Sequence, residues 1–274
     1  MNTMGSGFRW SDESWGRALR CDPLSEVAQH LFTTRQLQLR ATNVSAETSP
    51  AAVDAAWAQA AAAVGAPADA LMRVKQVHGR QVRVLKAGAV DPAAGAARPE
   101  ADALASNQPG IVLVVQVADC VPVLLADARR GAAGAAHAGW RGTAAGVTRA
   151  TVETMTRELG TDPADLVVAI GPSIGACCYT VGGELMDAFR SGGATEEQLA
   201  RWFSRTASGD LRLDLWTANR DQLLAAGVPA DRIFTAGLCT QTHADTFDSY
   251  RAAGPNAGRM AALIAVPGAA GRPL

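Results

Sequence analysis

The chain has 274 residues, of which 48% are hydrophobic and 19% charged, and its formal net charge is −1. That length can bury a full core without disulfide or metal staples. The near-neutral balance excludes a general nucleic-acid binder, which needs a basic excess to neutralise phosphates.

In chain order, residues 1–10 lack the apolar stretch of a secretory leader. The first forty residues are weakly patterned. Residues 51–64 are alanine-rich, follow Ser49-Pro50 and stop at Gly65, which predicts a helix with proline near its start. Residues 71–85 alternate through Val74, Val77, Val82 and Val84, as one or two strands broken near His78-Gly79. An Ala/Gly/Pro loop over 87–99 has no periodic face and reads as a mobile surface segment. The apolar runs 111–117 and 121–126 read as buried strands interrupted at Ala118-Asp119-Cys120, and both are far shorter than the ~20 residues of a membrane span. Residues 132–136 lead into His137-Ala138-Gly139-Trp140-Arg141-Gly142. Helical spacing over 143–159 closes at Gly160 and Pro163. A strand over 166–170 follows, then helices over 181–190, 196–203 and 214–226, and strands over 232–235 and 260–266. Strands alternating with helices predict an α/β fold, and the consecutive central strands predict some antiparallel pairing. No linker divides the chain, so residues 1–274 read as one domain with 1–30 as a weakly patterned N-terminal segment.

Five cysteines, two of them adjacent, make a poor disulfide framework and imply reduced thiols and a cytoplasmic protein. His78, Cys120 and His137 each stand at a strand end or strand-to-loop junction, beside residues that let the backbone turn. Two imidazoles and a thiolate would give Zn²⁺ three ligands and leave its fourth position open, as in catalytic sites. The same set suits a mononuclear copper ion. The plainer alternatives are a hydrogen-bonded core histidine and a buried structural thiol. Asp119 stands where it could orient a ligand from behind, or satisfy local backbone N–H groups. Arg141, just before a helix start, suits phosphate, or it stacks on Trp140 or pairs with a carboxylate. The vicinal Cys177-Cys178 suggests redox or metal work, or two small apolar groups. Cys239 and His243 fall in a loop-like stretch, His30 reads as structural, and Trp57, Trp202 and Trp216 read as core anchors.

Several segments resemble one family. They are Phe32-Thr33-Thr34-Arg35, Gln76-Val77-His78-Gly79, Ala101-Asp102-Ala103-Leu104 and Ala118-Asp119-Cys120-Val121-Pro122-Val123-Leu124-Leu125, followed by Ala136-His137-Ala138-Gly139-Trp140-Arg141-Gly142, Gly171-Pro172-Ser173-Ile174-Gly175, Cys177-Cys178-Tyr179, Ser249-Tyr250-Arg251 and Gly258-Arg259-Met260. In this order, from about Phe32 to the C-terminus, they resemble the YfiH family, also called the laccase-domain or polyphenol oxidase family of purine nucleoside phosphorylases. The chain departs from it after Arg35, where Gln36-Leu37-Gln38-Leu39-Arg40 replaces a glycine-rich loop. It departs again at residues 252–257, a loop one residue longer than usual that lacks the Arg-Asp pair after Arg251.

The resemblance implies a layered α/β/β/α sandwich of mixed sheets, with metal ligands on His78, Cys120 and His137. It implies phosphorolysis of adenosine, inosine and S-methyl-5′-thioadenosine together with adenosine deamination. Zn²⁺ is the expected cofactor, with Cu²⁺ as an alternative, and the metal would activate water for attack at C6 of adenine. Arg141 with the helix start near Thr143 is the expected phosphate site, and Arg35 and Arg251 are further substrate-binding candidates. The expected partners are purine nucleosides and phosphate, with no nucleic acid or membrane, for a monomer or small homo-oligomer. The family's older name implies copper-dependent phenol oxidation, but four histidines are too few for a multicopper centre. Two other readings stand beside these: a cysteine hydrolase or deamidase with Cys120 as nucleophile and His137 as base, and a non-catalytic metal- or redox-sensing module.

Overall fold

The computed structural model describes residues 4–40, 49–88 and 98–267. Most of the loop expected over 87–99 lies outside them. The elements run β1 (Phe8–Glu13), β2 (Gly16–Cys21), α1 (Asp22–Ser25), β3 (His30–Thr33), α2 (Pro50–Ala62), β4 (Leu71–Met72), β5 (Val82–Leu85), β6 (Ala103–Ser106), β7 (Val112–Val117), β8 (Val121–Asp127) and β9 (Ala132–Ala138). They continue as α3 (Trp140–Ala144), α4 (Val147–Leu159), β10 (Val167–Ile170), α5 (Gly183–Ser191), α6 (Glu196–Trp202), β11 (Phe203–Arg205), β12 (Leu211–Leu213), α7 (Leu215–Ala225), β13 (Ile233–Thr235), α8 (Tyr250–Ala253) and β14 (Met260–Ala265).

Two six-stranded sheets carry the architecture, ordered β1-β2-β3-β14-β7-β4 and β13-β10-β8-β9-β6-β5. Both are mixed: β14–β7 and β8–β9 are antiparallel, whereas β4–β7, β5–β6 and β10–β13 are parallel. The sheets meet face to face through Leu104, Leu113, Val115, Leu124, Ala133, Ala135 and Ala262. Alternation along each strand sends the other side chains to the outer faces. There Trp57, Ala60 and Val64, in or just after α2, pack on Leu31, Val112, Val114 and Leu263 of the first sheet. Met155, Leu159, Leu185, Phe189 and Leu223 pack on Val121, Val123, Leu125 and Val168 of the second. The order of layers is therefore helix, sheet, sheet, helix, as expected.

Four details differ from the sequence-based expectation. The N-terminal stretch holds a β-hairpin in register Phe8↔Cys21 to Glu13↔Gly16, and then β3. Its outer strand β1 buries only Phe8 fully, so it carries no clean period-2 signal. The strands β7 and β8 are consecutive but lie in different sheets; the antiparallel partners of β8 are β9 and β10. The helix expected over 143–159 is two helices, because Gly146 adopts φ 82° between α3 and α4 and ends the first run. The β11–β12 hairpin is too short to show as a periodic run.

Candidate metal centre

His78 lies between β4 of the first sheet and β5 of the second, and Cys120 lies between β7 of the first and β8 of the second. His137 is on β9, opposite Pro122 at the start of β8. Two changes of sheet and one neighbouring strand thus bring three distant residues together. The turns are sharp: His78 (φ 62°) and Asp119 (φ 82°) are the only non-glycine residues with positive φ among the described residues. A left-handed backbone at such residues costs about 1–3 kcal/mol and persists where its surroundings over-determine it.

Asp102 does that at His78. Its buried carboxylate accepts the backbone N–H groups of Val77 (3.3 Å), His78 (2.8 Å) and Gly79 (2.6 Å). It also accepts Nδ1–H of His137 at 2.9 Å. A carboxylate held this way can only accept, so His137 carries its proton on Nδ1 and keeps the Nε2 lone pair for a ligand. Burial alone would raise the Asp102 carboxyl, but the hydrogen bonds from His137, Gly79 and His78 overcome it and hold the group below its usual range.

The two imidazoles meet edge to face with centroids 4.9 Å apart, and Cys120 Sγ is 4.0 Å from His78 Nε2. The ligand atoms of all three residues lie within 4.8 Å of one another. Burial works against a Cys120 thiolate, yet the adjacent His137 and His78 pull the thiol down; Cys120 and Asp102 in turn hold His137 up despite burial. Each group thus favours the charged form of the other, and a cation entering the site would compete with a proton for Sγ and Nε2. Gly139 closes the space behind it, since a Cβ there would sit 2.8 Å from Cys120 Sγ and 3.1 Å from His78 Cδ2. Donor types, spacing and the prepared tautomer all fit a single borderline-soft divalent ion.

The three residues line a cavity of about 1280 Å³ whose walls also carry Arg73, Arg98, Arg141, Arg251 and Arg259. The guanidinium of Arg141 stacks on Trp140 at 4.3 Å, and among the described residues nothing accepts its N–H groups. Thr143, however, is not at a helix start: α3 begins at Trp140, and the buried Thr143 hydroxyl is hydrogen-bonded to the Ala138 carbonyl and Asn219. Arg251 is fixed over Tyr179 at 5.0 Å and donates to the Thr180 carbonyl. Arg35 does not line the cavity; its guanidinium donates to the carbonyl of Ala244 and its backbone N–H to that of Thr246, tying the end of β3 to the loop beyond β13.

Asp119 lines the cavity, but its carboxylate accepts the Thr240 hydroxyl and the Arg251 backbone N–H, both at 2.6 Å. It braces the turn rather than a ligand. The carboxylate that orients a ligand is Asp102, which sequence reasoning did not single out. Its signal was an acid opening the apolar run Ala103-Leu104-Ala105, a buried charge that must have partners. His30 is buried and hydrogen-bonded to the Cys21 N–H and the Ala28 carbonyl, and His243 lies close to the Cys239 carbonyl, so neither reaches the centre.

Residues 29–267 match the family model described as multi-copper polyphenol oxidoreductase laccase. The chain belongs to this family. Among its relatives is a purine nucleoside phosphorylase of Bacteroides thetaiotaomicron, 42% identical over 60% of each chain. The chain thus spans three fifths of that relative. A purine nucleoside phosphorylase of Deinococcus radiodurans is 41% identical over 77% of this chain and 76% of its own. Adenosine deaminase RL5, from an unknown prokaryotic organism, is 36% identical over 72% of this chain and 75% of its own. The fold is that of YlmD from Geobacillus stearothermophilus, with TM-score 0.79 and 30% identity over 94% of this chain and 98% of that one. A histidine-rich multi-copper centre does not fit the residues: with His30 and His243 engaged elsewhere, two imidazoles and one thiol remain at this centre, enough for one ion.

Proposed function

We propose that this chain is a purine nucleoside phosphorylase with adenosine deaminase activity, acting on adenosine, inosine and S-methyl-5′-thioadenosine. The observation that carries the reading is the His78–Cys120–His137 cluster opening into an arginine-walled cavity. The names of the relatives supply the substrate class. Zn²⁺ would be held by those three residues and supply Lewis acidity for activating water. Asp102 keeps His137 in the ligating tautomer. Arg141 offers phosphate a bidentate fork at the cavity wall, and Arg251, stacked over Tyr179, adds positive charge to the same lining. Tyr250, 51% exposed and part of the cavity lining, gives a purine an aromatic face. Five free cysteines, Cys120 among them partly exposed, suit a reducing compartment, and we place the protein in the cytoplasm.

The test is chromatography of reactions with each nucleoside, with and without phosphate, using zinc-loaded protein. Phosphorolysis must release free base and the corresponding sugar 1-phosphate, which keeps the methylthio group when the substrate is the thionucleoside, only with phosphate present; deamination of adenosine must give inosine and ammonia without it. A second reading has one observation in its favour: Cys120, His137 and Asp102 are arranged as nucleophile, base and orienting acid. Full activity in protein shown by elemental analysis to hold no metal would select that cysteine hydrolase and reject the first reading.

A further inference from the structure

A second sulfur-rich cluster lies outside the cavity lining. Cys177 and Cys178 occupy the turn after β10, and Cys239 sits on the segment beyond β13, where Ser173 and Cys239 form a parallel bridge. The three sulfurs lie within 4.8 Å of one another, with Cys177 and Cys178 at 3.6 Å. A metal that binds sulfur at about 2.3 Å sets its thiolates about 3.8 Å apart, so this spacing needs little rearrangement. Gly175 keeps the space open: a Cβ there would meet Trp216 at 2.8 Å and lie 3.3 Å from Cys177 Sγ.

We propose that Cys177, Cys178 and Cys239 form an all-thiolate site for one Cu(I) ion, separate from the His78–Cys120–His137 centre. The donors are soft, and among the described residues no imidazole or carboxylate joins the cluster. A structural zinc would need a fourth ligand to close its tetrahedron, whereas a three-sulfur set satisfies a three-coordinate soft monovalent ion. Three thiolates around Cu(I) carry two net negative charges; burial and the neighbouring Cys239 hold the Cys177 and Cys178 thiols up, so the ion itself must draw off their protons, whereas Cys239 is prepared for ionisation. The Gly175 N–H donates to Cys239 Sγ at 3.3 Å. Burial opposes ionisation of Cys239, but the N–H groups of Gly175, Thr242 and Gln241 outweigh it and hold the thiol below its usual value. Arg212 donates to the Ala176 carbonyl at 3.1 Å, its charge offsets part of the burial that holds Cys178 up, and its buried Nε has no hydrogen-bond partner among the described residues. An anionic cluster would thus be favoured by the nearby Arg212 charge that already acts on Cys178. Cys177 is exposed and Cys178 half-buried, so the ion has a path from solvent.

This inference is independent of the nucleoside chemistry. Its test uses the full chain, reduced and oxygen-free, with zinc already on the first centre, titrated with Cu(I) against a chromogenic Cu(I) chelator while X-ray absorption reports the ligand shell. The expected result is one Cu(I) per chain in addition to zinc, with a three-sulfur shell, and retention of that copper in Cys120→Ala. The exposed Cys177→Ser should still fold and turn over nucleosides while losing at least about tenfold in Cu(I) affinity, because one of three soft donors becomes hard. Cys178→Ser should behave alike. Copper bound as tightly by both variants as by the wild type, copper in a shell containing nitrogen, or preferential uptake of zinc by the cluster would each overturn the proposal.

Discussion

Asp102→Asn removes a charge from beneath the candidate centre with almost no change of shape. In the native structure Oδ1 accepts from the His78 N–H and His137 Nδ1–H, and Oδ2 accepts from the Val77 and Gly79 N–H groups. An amide has one accepting oxygen, so its NH₂ must face two of those four donors whichever way it turns. Hydrogen bonds to a charged group contribute about 1.5–3 kcal/mol each. Turning the nitrogen to Val77 and Gly79 loses two such bonds, about 3–6 kcal/mol. Turning it to His78 and His137 loses the His78 bond alone, about 1.5–3 kcal/mol, because the His137 ring can change tautomer and accept; the second turn is therefore favoured. With the amide nitrogen towards His137, the ring escapes the clash by moving its proton to Nε2, the atom a metal needs. Zinc affinity should therefore fall about 10–100-fold. Competition with a chromogenic zinc chelator measures that loss, and urea unfolding measures the stability change. A folded variant that binds zinc within about twofold of the wild type would refute the idea that Asp102 sets the His137 tautomer.

Three further outcomes follow from the geometry. Arg141→Lys replaces a bidentate fork by a point charge and should raise the KM for phosphate about tenfold while adenosine deamination changes less; equal loss of both would make Arg141 architectural. Gly139→Ala places a methyl group 2.8 Å from Cys120 Sγ and should bring bound zinc well below one per chain, for an overpacking cost of about 1–3 kcal/mol; unchanged zinc by elemental analysis would refute it. Burial, partly offset by the Ala28 carbonyl, pushes His30 down from 6.5 to about 4. The unfolded chain then binds the proton more readily, so this contribution is present above pH 6.5 and is lost as pH falls to about 4, by about 3 kcal/mol. His30→Gln should flatten the pH dependence of the urea midpoint across that window, and an unaltered slope would refute the assignment.

The α/β class and the strand-end positions of His78, Cys120 and His137 were legible because their signals are local, while the layered arrangement came from the family resemblance. Buried strands such as residues 121–126 are continuous apolar runs, and His78 and Cys120 stand beside glycine, aspartate and proline near strand ends. What could not be read was contact across the fold. Asp102 contacts His78 and His137 only once β6 has paired with β9, and Asp119 reaches Arg251 only when β7 and β14 have brought distant segments side by side. Arg35 looked like a substrate residue because it follows a family motif, yet its guanidinium serves the Ala244 carbonyl. The departure after it has a packing reason: Leu37 and Leu39 are buried beside α2.

The two changes of sheet that carry His78 and Cys120 also make the centre a gauge of how the sheets are seated on each other. Each of these residues is anchored on one side to the first sheet and on the other to the second, while His137 moves with the second alone. A small slide of one sheet over the other would thus alter the spacing of the donor atoms before it disturbed any ligand directly. Side chains in the shared apolar layer, such as Leu113 and Leu124, take no part in the chemistry but act on the same displacement. Volume-changing substitutions there are tuning points for metal affinity, reached through sheet alignment, and an ion bound across the junction would in return clamp the two sheets in register.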